Sequence, residues 1–240
     1  MTLSMVRVGA IVRKELRELR RNRSIVLTMA VIPLVFVLNP MIQIFALPAS
    51  ASGELSHTHV LLYMLGIPAV VPAVVAAYAV VGERQQGSLE PVLMTPIHRE
   101  EFLLAKALAA LVPALAISYA VYGVVLVAIE LFAKPSVAGA LVTGPDLLAQ
   151  VLFTPLLAGW SIWVGIAVSN RASEVRTAQQ LGTFASVPSA IIVVLVAYDV
   201  IHATVALAVG GLALLIILNG IGWWVTSAMF DRERLITGTR

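Results

Sequence analysis

Of 240 residues, 60% are apolar, 12% are charged and none is cysteine. With a mean hydropathy of +0.95 this balance exceeds what a water-exposed surface tolerates, so the bilayer is the solvent of the chain. The missing cysteines exclude a disulfide framework, a thiolate metal site and a cysteine nucleophile, and the formal charge of +3 does not point to nucleic acid because the positive residues are confined to a few short stretches.

The first predicted element is an amphipathic interfacial helix over residues 1–24. Met5, Val8, Val12, Leu16 and Leu19 recur every three or four residues and share one helix face, while Arg13, Lys14, Arg17, Glu18, Arg20, Arg21 and Arg23 cover the rest. Seven positive and two negative residues precede Ser24. Such a helix lies on an anionic leaflet, each nearby cation contributing about 1 kcal/mol. Lys14, Arg17, Arg20 and Arg21 are therefore candidate contacts for anionic lipid or for a partner subunit. A purely topogenic anchor that holds the first span in place is the plainer reading.

A hydrocarbon core of about 30 Å needs about 20 apolar helical residues. Runs of that length place six spans within a single transmembrane domain, 25–240, at roughly 25–47, 60–82, 107–129, 147–169, 181–198 and 203–230. None shows the alternation of an outer-membrane strand, so the fold class is an all-α integral membrane protein. The segment Ala46-Leu47-Pro48-Ala49-Ser50-Ala51 has the small residues of a signal-peptide cleavage site, but the long charged helix and the long apolar run ahead of it favour a true span. With an N-terminus in the cytoplasm, fifteen of the sixteen Lys and Arg residues lie on the cytoplasmic side and only Lys134 lies opposite. The positive-inside rule thus puts both termini in the cytoplasm. Glu54, His57, His59, Glu130, Lys134, Asp146, Asp199 and His202 are expected in short outer loops.

Between spans two and three the residues from Glu83 to Phe102 form an amphipathic connection. Gly87 permits a sharp bend, Ser88 or Thr95 suits a helix cap, and Pro96 suits a first helical position. Leu89, Val92, Leu93 and Ile97 would give a short helix an apolar face. A second helix is expected from Arg99, with Glu100 and Glu101 in its positive first turn, running into span three.

The pattern Glu83-x-x-x-Gly87-Ser88-Leu89-Glu90-x-x-Leu93-x-Thr95-Pro96, followed by Lys106 and an apolar span, resembles the first cytoplasmic loop of ABC-2 type transporter permeases. The charged run Lys14-Glu15-Leu16-Arg17-Glu18-Leu19-Arg20 ahead of span one is similar to the same family, as is the six-span layout. Asn170-Arg171-Ala172-Ser173 with Thr177-Ala178-Gln179-Gln180 is similar, less specifically, to its second cytoplasmic loop. The resemblance implies a half-transporter of the plasma membrane, bacterial inner-membrane type. It would pair with itself or a similar permease and dock two ABC ATP-binding subunits, which bind ATP and Mg. It further implies a cytoplasmic coupling helix between spans two and three, shaped by Gly87, Ser88, Leu89, Glu90, Leu93, Thr95 and Pro96, with Glu83 orienting it. Many members carry two re-entrant helices between spans five and six. Here only Asp199 to His202 separate the last apolar runs, so such helices are either folded into those runs, with breaks near Pro188 or Gly210-Gly211, or missing.

Several chemistries are excluded. No G-x-x-x-x-G-K-[ST] occurs, so the chain is not itself the ATPase. No span carries a charged residue well inside it, which argues against an ion-coupled carrier, and the four histidines fall in loops, which leaves no zinc or serine protease site. Gly159-Trp160-Ser161-Ile162 lacks the following glycine of a nucleophile turn. Asn39 and Gln43, one turn apart in span one, are possible pathway residues; Ser118, Ser161, Ser186, Ser189 and Asn219 share with them the simpler reading of interhelical hydrogen bonding. Trp160, Trp163, Trp223 and Trp224 read first as interface anchors. An exporter of a hydrophobic or amphipathic substrate is the leading reading, and a membrane scaffold or assembly factor is the alternative.

Overall fold

The computed structural model describes residues 4–46, 58–85 and 98–229, and within them every regular element is helical. Eight α-helices follow in order: α1 Met5–Arg21, α2 Arg23–Ala46, α3 Gly66–Gln85, α4 Arg99–Phe132, α5 Pro135–Leu141, α6 Gly144–Arg171, α7 Val175–Ala197 and α8 Val205–Met229. A six-residue 3₁₀ helix, Val60–Leu65, leads directly into α3. Six of these helices are long and apolar enough to cross a membrane, and they coincide with the six expected spans.

The bundle is built around α3. That helix is buried on nearly all sides, packing most extensively on α6 and α7 and also on α2 and α4. Small residues make this possible, because lipid supplies no hydrophobic drive between helices and close backbone contact has to do the work. A methyl group on Gly165 would stand 2.6 Å from the Ala73 carbonyl oxygen, and one on Gly182 would stand 3.3 Å from the same atom. Ala69, Ala73, Ala76 and Ala77 are therefore consumed inside the chain, all of them buried. The Ser169 hydroxyl on α6 accepts hydrogen bonds from the Val80 and Val81 amides of α3 at 3.1 and 3.0 Å. By contrast α2, α7 and α8 turn large side chains such as Leu38, Phe184 and Ile216 outward, a surface only lipid or another apolar partner tolerates.

Three expectations are revised and one open alternative is narrowed. Asp146 does not lie in a loop: it occupies the first turn of α6, buried, and its amide donates to the capping Thr143 hydroxyl at 3.3 Å. The connection ahead of α6 folds into α5, which starts on Pro135, where the fixed φ of proline suits a first turn. Trp163 and Trp223 stack edge to face with centroids 5.4 Å apart, joining α6 to α8, whereas Trp224 is exposed. Finally, α7 continues through Pro188 and α8 through Gly210-Gly211, so no re-entrant helix lies between them. They are joined by residues 198–204, where Asp199 takes a φ of 55°, a left-handed conformation that aspartate tolerates better than most residues.

Candidate functional site

The densest polar chemistry lies at the end of the bundle that carries α1, the basic end. Glu15 falls seven residues after Val8, two helical turns on, so it shares the buried face of α1 and is itself buried. Beside it Glu83 lies in the last turn of α3 and Lys106 stands two turns into α4, both buried as well. The Lys106 ammonium lies 2.9 Å from Glu15 Oε1 and 3.0 Å from Glu83 Oε1. Lys14 closes the cluster from the solvent side, 2.6 Å from Glu83, 3.3 Å from Glu15 and 3.4 Å from Glu18. Two cations thus join carboxylates from α1 and α3 to α4.

Burial sets the electrostatics. Desolvation pushes the Glu15 carboxyl above its ordinary range, and the charge of Glu83 adds to this, outweighing the pull of Lys106 and Lys14. Burial alone would lower Lys14, but its hydrogen bond to Glu83 and the charges of Glu83, Glu15 and Glu18 hold it above its ordinary value.

A second clasp lies one helical stretch away. Glu101, fully buried in the first turn of α4, accepts two hydrogen bonds from the Arg7 guanidinium at 2.7 and 2.9 Å, one from the Ser4 amide at 2.7 Å and one from the His98 amide at 3.2 Å. The forked geometry of arginine suits such a carboxylate. Together the two clasps bind α1 along the base of α4.

At the far end of the bundle the polar groups are sparser. His59 Nδ1 and Asp146 Oδ1 are 2.7 Å apart. Deeper in, Tyr122 and Ser118 on α4 and Gln150 and Thr154 on α6 are buried, with Gln150 donating to Thr154 at 3.2 Å. The Tyr122 and Ser118 hydroxyls and the Gln150 carbonyl oxygen have no protein partner among the described residues.

Residues 9–221 match the family model described as ABC-2 family transporter protein. The chain belongs to the ABC-2 family of transporter proteins. A search of the curated proteins finds no match. Membership makes this a multi-pass membrane permease component rather than a catalytic subunit, in keeping with its six long apolar helices.

Of the residues singled out in this ABC-2 sequence, the structure places Glu83 within the ion cluster and Lys14 directly upon it. Arg17, Arg20 and Arg21 stand exposed on the outer side of α1. Asn39 donates to the Tyr198 hydroxyl, joining α2 to the end of α7, and Gln43 lies in the last turns of α2. Asn219 also bridges helices, donating to the Leu156 carbonyl at 2.9 Å, whereas Ser186 and Ser189 bond back within α7. Gly87, Ser88, Leu89, Glu90, Leu93, Thr95 and Pro96 lie outside the described residues. Glu15 and Arg7 had no assigned role from sequence, and Glu101 was expected only as a first-turn acid of the helix from Arg99, not as a partner of Arg7. For Glu15 a signal existed: a glutamate in phase with Val8 interrupts the apolar stripe and needs a buried cation.

Proposed function

We propose that this ABC-2 protein is the permease subunit of an ATP-binding cassette exporter, powered by a separate ATPase and moving a hydrophobic or amphipathic substrate. Two permease chains, identical or similar, combine with two ATP-binding subunits that hold ATP and Mg. Both termini and the basic end face the cytoplasm of a bacterial-type inner membrane, the side the positive-inside rule assigns them.

The observation that carries this reading is the ion cluster joining α1, α3 and α4. Residues 86–97 leave α3 just after Glu83 and return at α4 just before Glu101, so the coupling segment is bracketed by the two clasps. Force applied to that segment by nucleotide-driven closure would act on one block of three helices and tilt them together, a rigid-body shift. Support for an apolar cargo comes from the spans themselves: among the described residues the charged side chains within them stand near span ends, leaving no charged group at mid-depth.

The test is purification from native membranes followed by coupled assays. An ATP-binding subunit is expected to co-purify, and Glu90→Lys or Gly87→Pro is expected to leave insertion intact while separating ATP hydrolysis from transport. Full coupling in both variants removes the segment from the mechanism. A complex without any ATP-binding subunit favours the scaffold instead.

A further inference from the structure

Outside the ion clusters, a groove of 580 Å³ opens on the membrane side of the basic end, between α2 and α4 and beneath α1. Its floor is Met29 and Pro33 of α2 with Pro113 and Ile117 of α4, while Leu16 closes the end under α1 and Arg20 stands at its mouth. Proline explains why a gap persists here. Pro33 and Pro113 each lie inside a helix, where the ring is compact and one backbone hydrogen bond is lost, so the two helices do not fill the space between them.

Three features identify the occupant. The volume falls in the range of about 300–1,000 Å³ common to small-molecule sites, and the lining is apolar apart from one cation, the usual division between a packed body and an orienting polar group. Along α2 the lining runs from Val26 to Val37, which at about 1.5 Å per residue is roughly 17 Å, close to the depth of one leaflet in a core of about 30 Å. Arg20 is exposed and pairs with no carboxylate among the described residues, on the amphipathic helix α1, whose Arg17 and Arg21 are also exposed. A guanidinium at that level matches a phosphate in shape and charge.

We propose that this groove is a binding site for an acidic phospholipid of the leaflet at the basic end, with one acyl chain laid between α2 and α4 and the headgroup phosphate held by Arg20. The lipid fills the space that the two prolines leave and connects α1 to span one and span three from the membrane side. This site does not depend on the transport reading.

Photo-crosslinking tests it. The full chain is reconstituted in phosphatidylcholine vesicles containing a phosphatidylglycerol analogue with a photoreactive acyl chain, and labelled residues are mapped by mass spectrometry. Label is expected to concentrate at Met29, Pro33 and Ile117, and to favour phosphatidylglycerol over the matching phosphatidylcholine analogue. Arg20→Gln should reduce that preference about fivefold, the factor for one cation near an acidic surface, without moving the labelled positions. Ala30→Trp, placed at the groove rim, should reduce labelling by either analogue. Label spread over the exposed faces of α7 and α8 in proportion to exposure would overturn the proposal. So would wild-type headgroup preference in Arg20→Gln, or a second copy of the chain cross-linked into the groove.

Discussion

The two ends of the bundle solve the same problem in opposite ways. At the basic end, buried Glu15, Glu83 and Lys106 and half-exposed Lys14 tie α1, α3 and α4 together at ion-pair distances of 2.6 to 3.3 Å. At the far end the pairs are His59 with Asp146 and the exposed His202 with Asp199, and the buried Tyr122, Ser118 and Gln150 oxygens have no protein partner among the described residues. A buried ion cluster resists separation because pulling out one member strands the rest without solvent. Unpartnered hydroxyls lose little when their helices part, and water can satisfy them. The base is therefore expected to hold together as a unit, and the far end to part at lower cost.

The largest effect expected is at the centre of the stronger end. Lys106→Met leaves buried Glu15 and Glu83 with Lys14 as their one remaining cation in the cluster and should cost about 3 kcal/mol, read as a lowered unfolding midpoint in detergent. A loss below about 1 kcal/mol would mean the cluster is hydrated and not a buried lock. Arg7→Ala should weaken the second clasp while sparing the first. Amide exchange is expected to rise around Ser4 and through the first turns of α1, with α3 unchanged; protection equal to wild type would remove this clasp from the fixing of α1.

A pH prediction separates the carboxylates. The Glu15 carboxyl is raised in the fold, so folding favours its protonated form. The stability this supplies is complete below the unfolded value near 4.5 and is lost as pH rises through the folded one. Glu15→Gln should flatten that decline while Glu83→Gln destabilises at neutral pH; equal losses in the two would break the distinction. The smallest effect belongs to the far end, where Tyr122→Phe removes an unpartnered hydroxyl and should shift stability by less than about 1 kcal/mol. A larger loss would reveal a bound water or partner that makes the far end as tightly tied as the base.

The six spans were readable because length and apolarity are local properties, and α4 begins at Arg99 as its acidic first turn suggested. The short helix α5 was not, since seven residues carry too little periodic signal. Lys14 illustrates the deeper limit. On a helical wheel it is one more surface cation, yet it turns to Glu83, 69 residues away. Such pairings are set by which helix bases the bundle brings together, and no local pattern encodes them. Asp146 shows the same at the far end: a polar residue before an apolar run reads as loop, but here the helix starts earlier and His59 reaches it.

The length of α4 has a mechanical consequence. At about 1.5 Å per residue its 34 residues span roughly 51 Å, well beyond a hydrocarbon core of about 30 Å. Pro113 interrupts its backbone bonding about 21 Å from Arg99 and about 28 Å from Phe132. A small rotation about that point is magnified by about a third between the handle at Arg99 and the tip at Phe132. The helix is a lever whose short arm is the one gripped by α1.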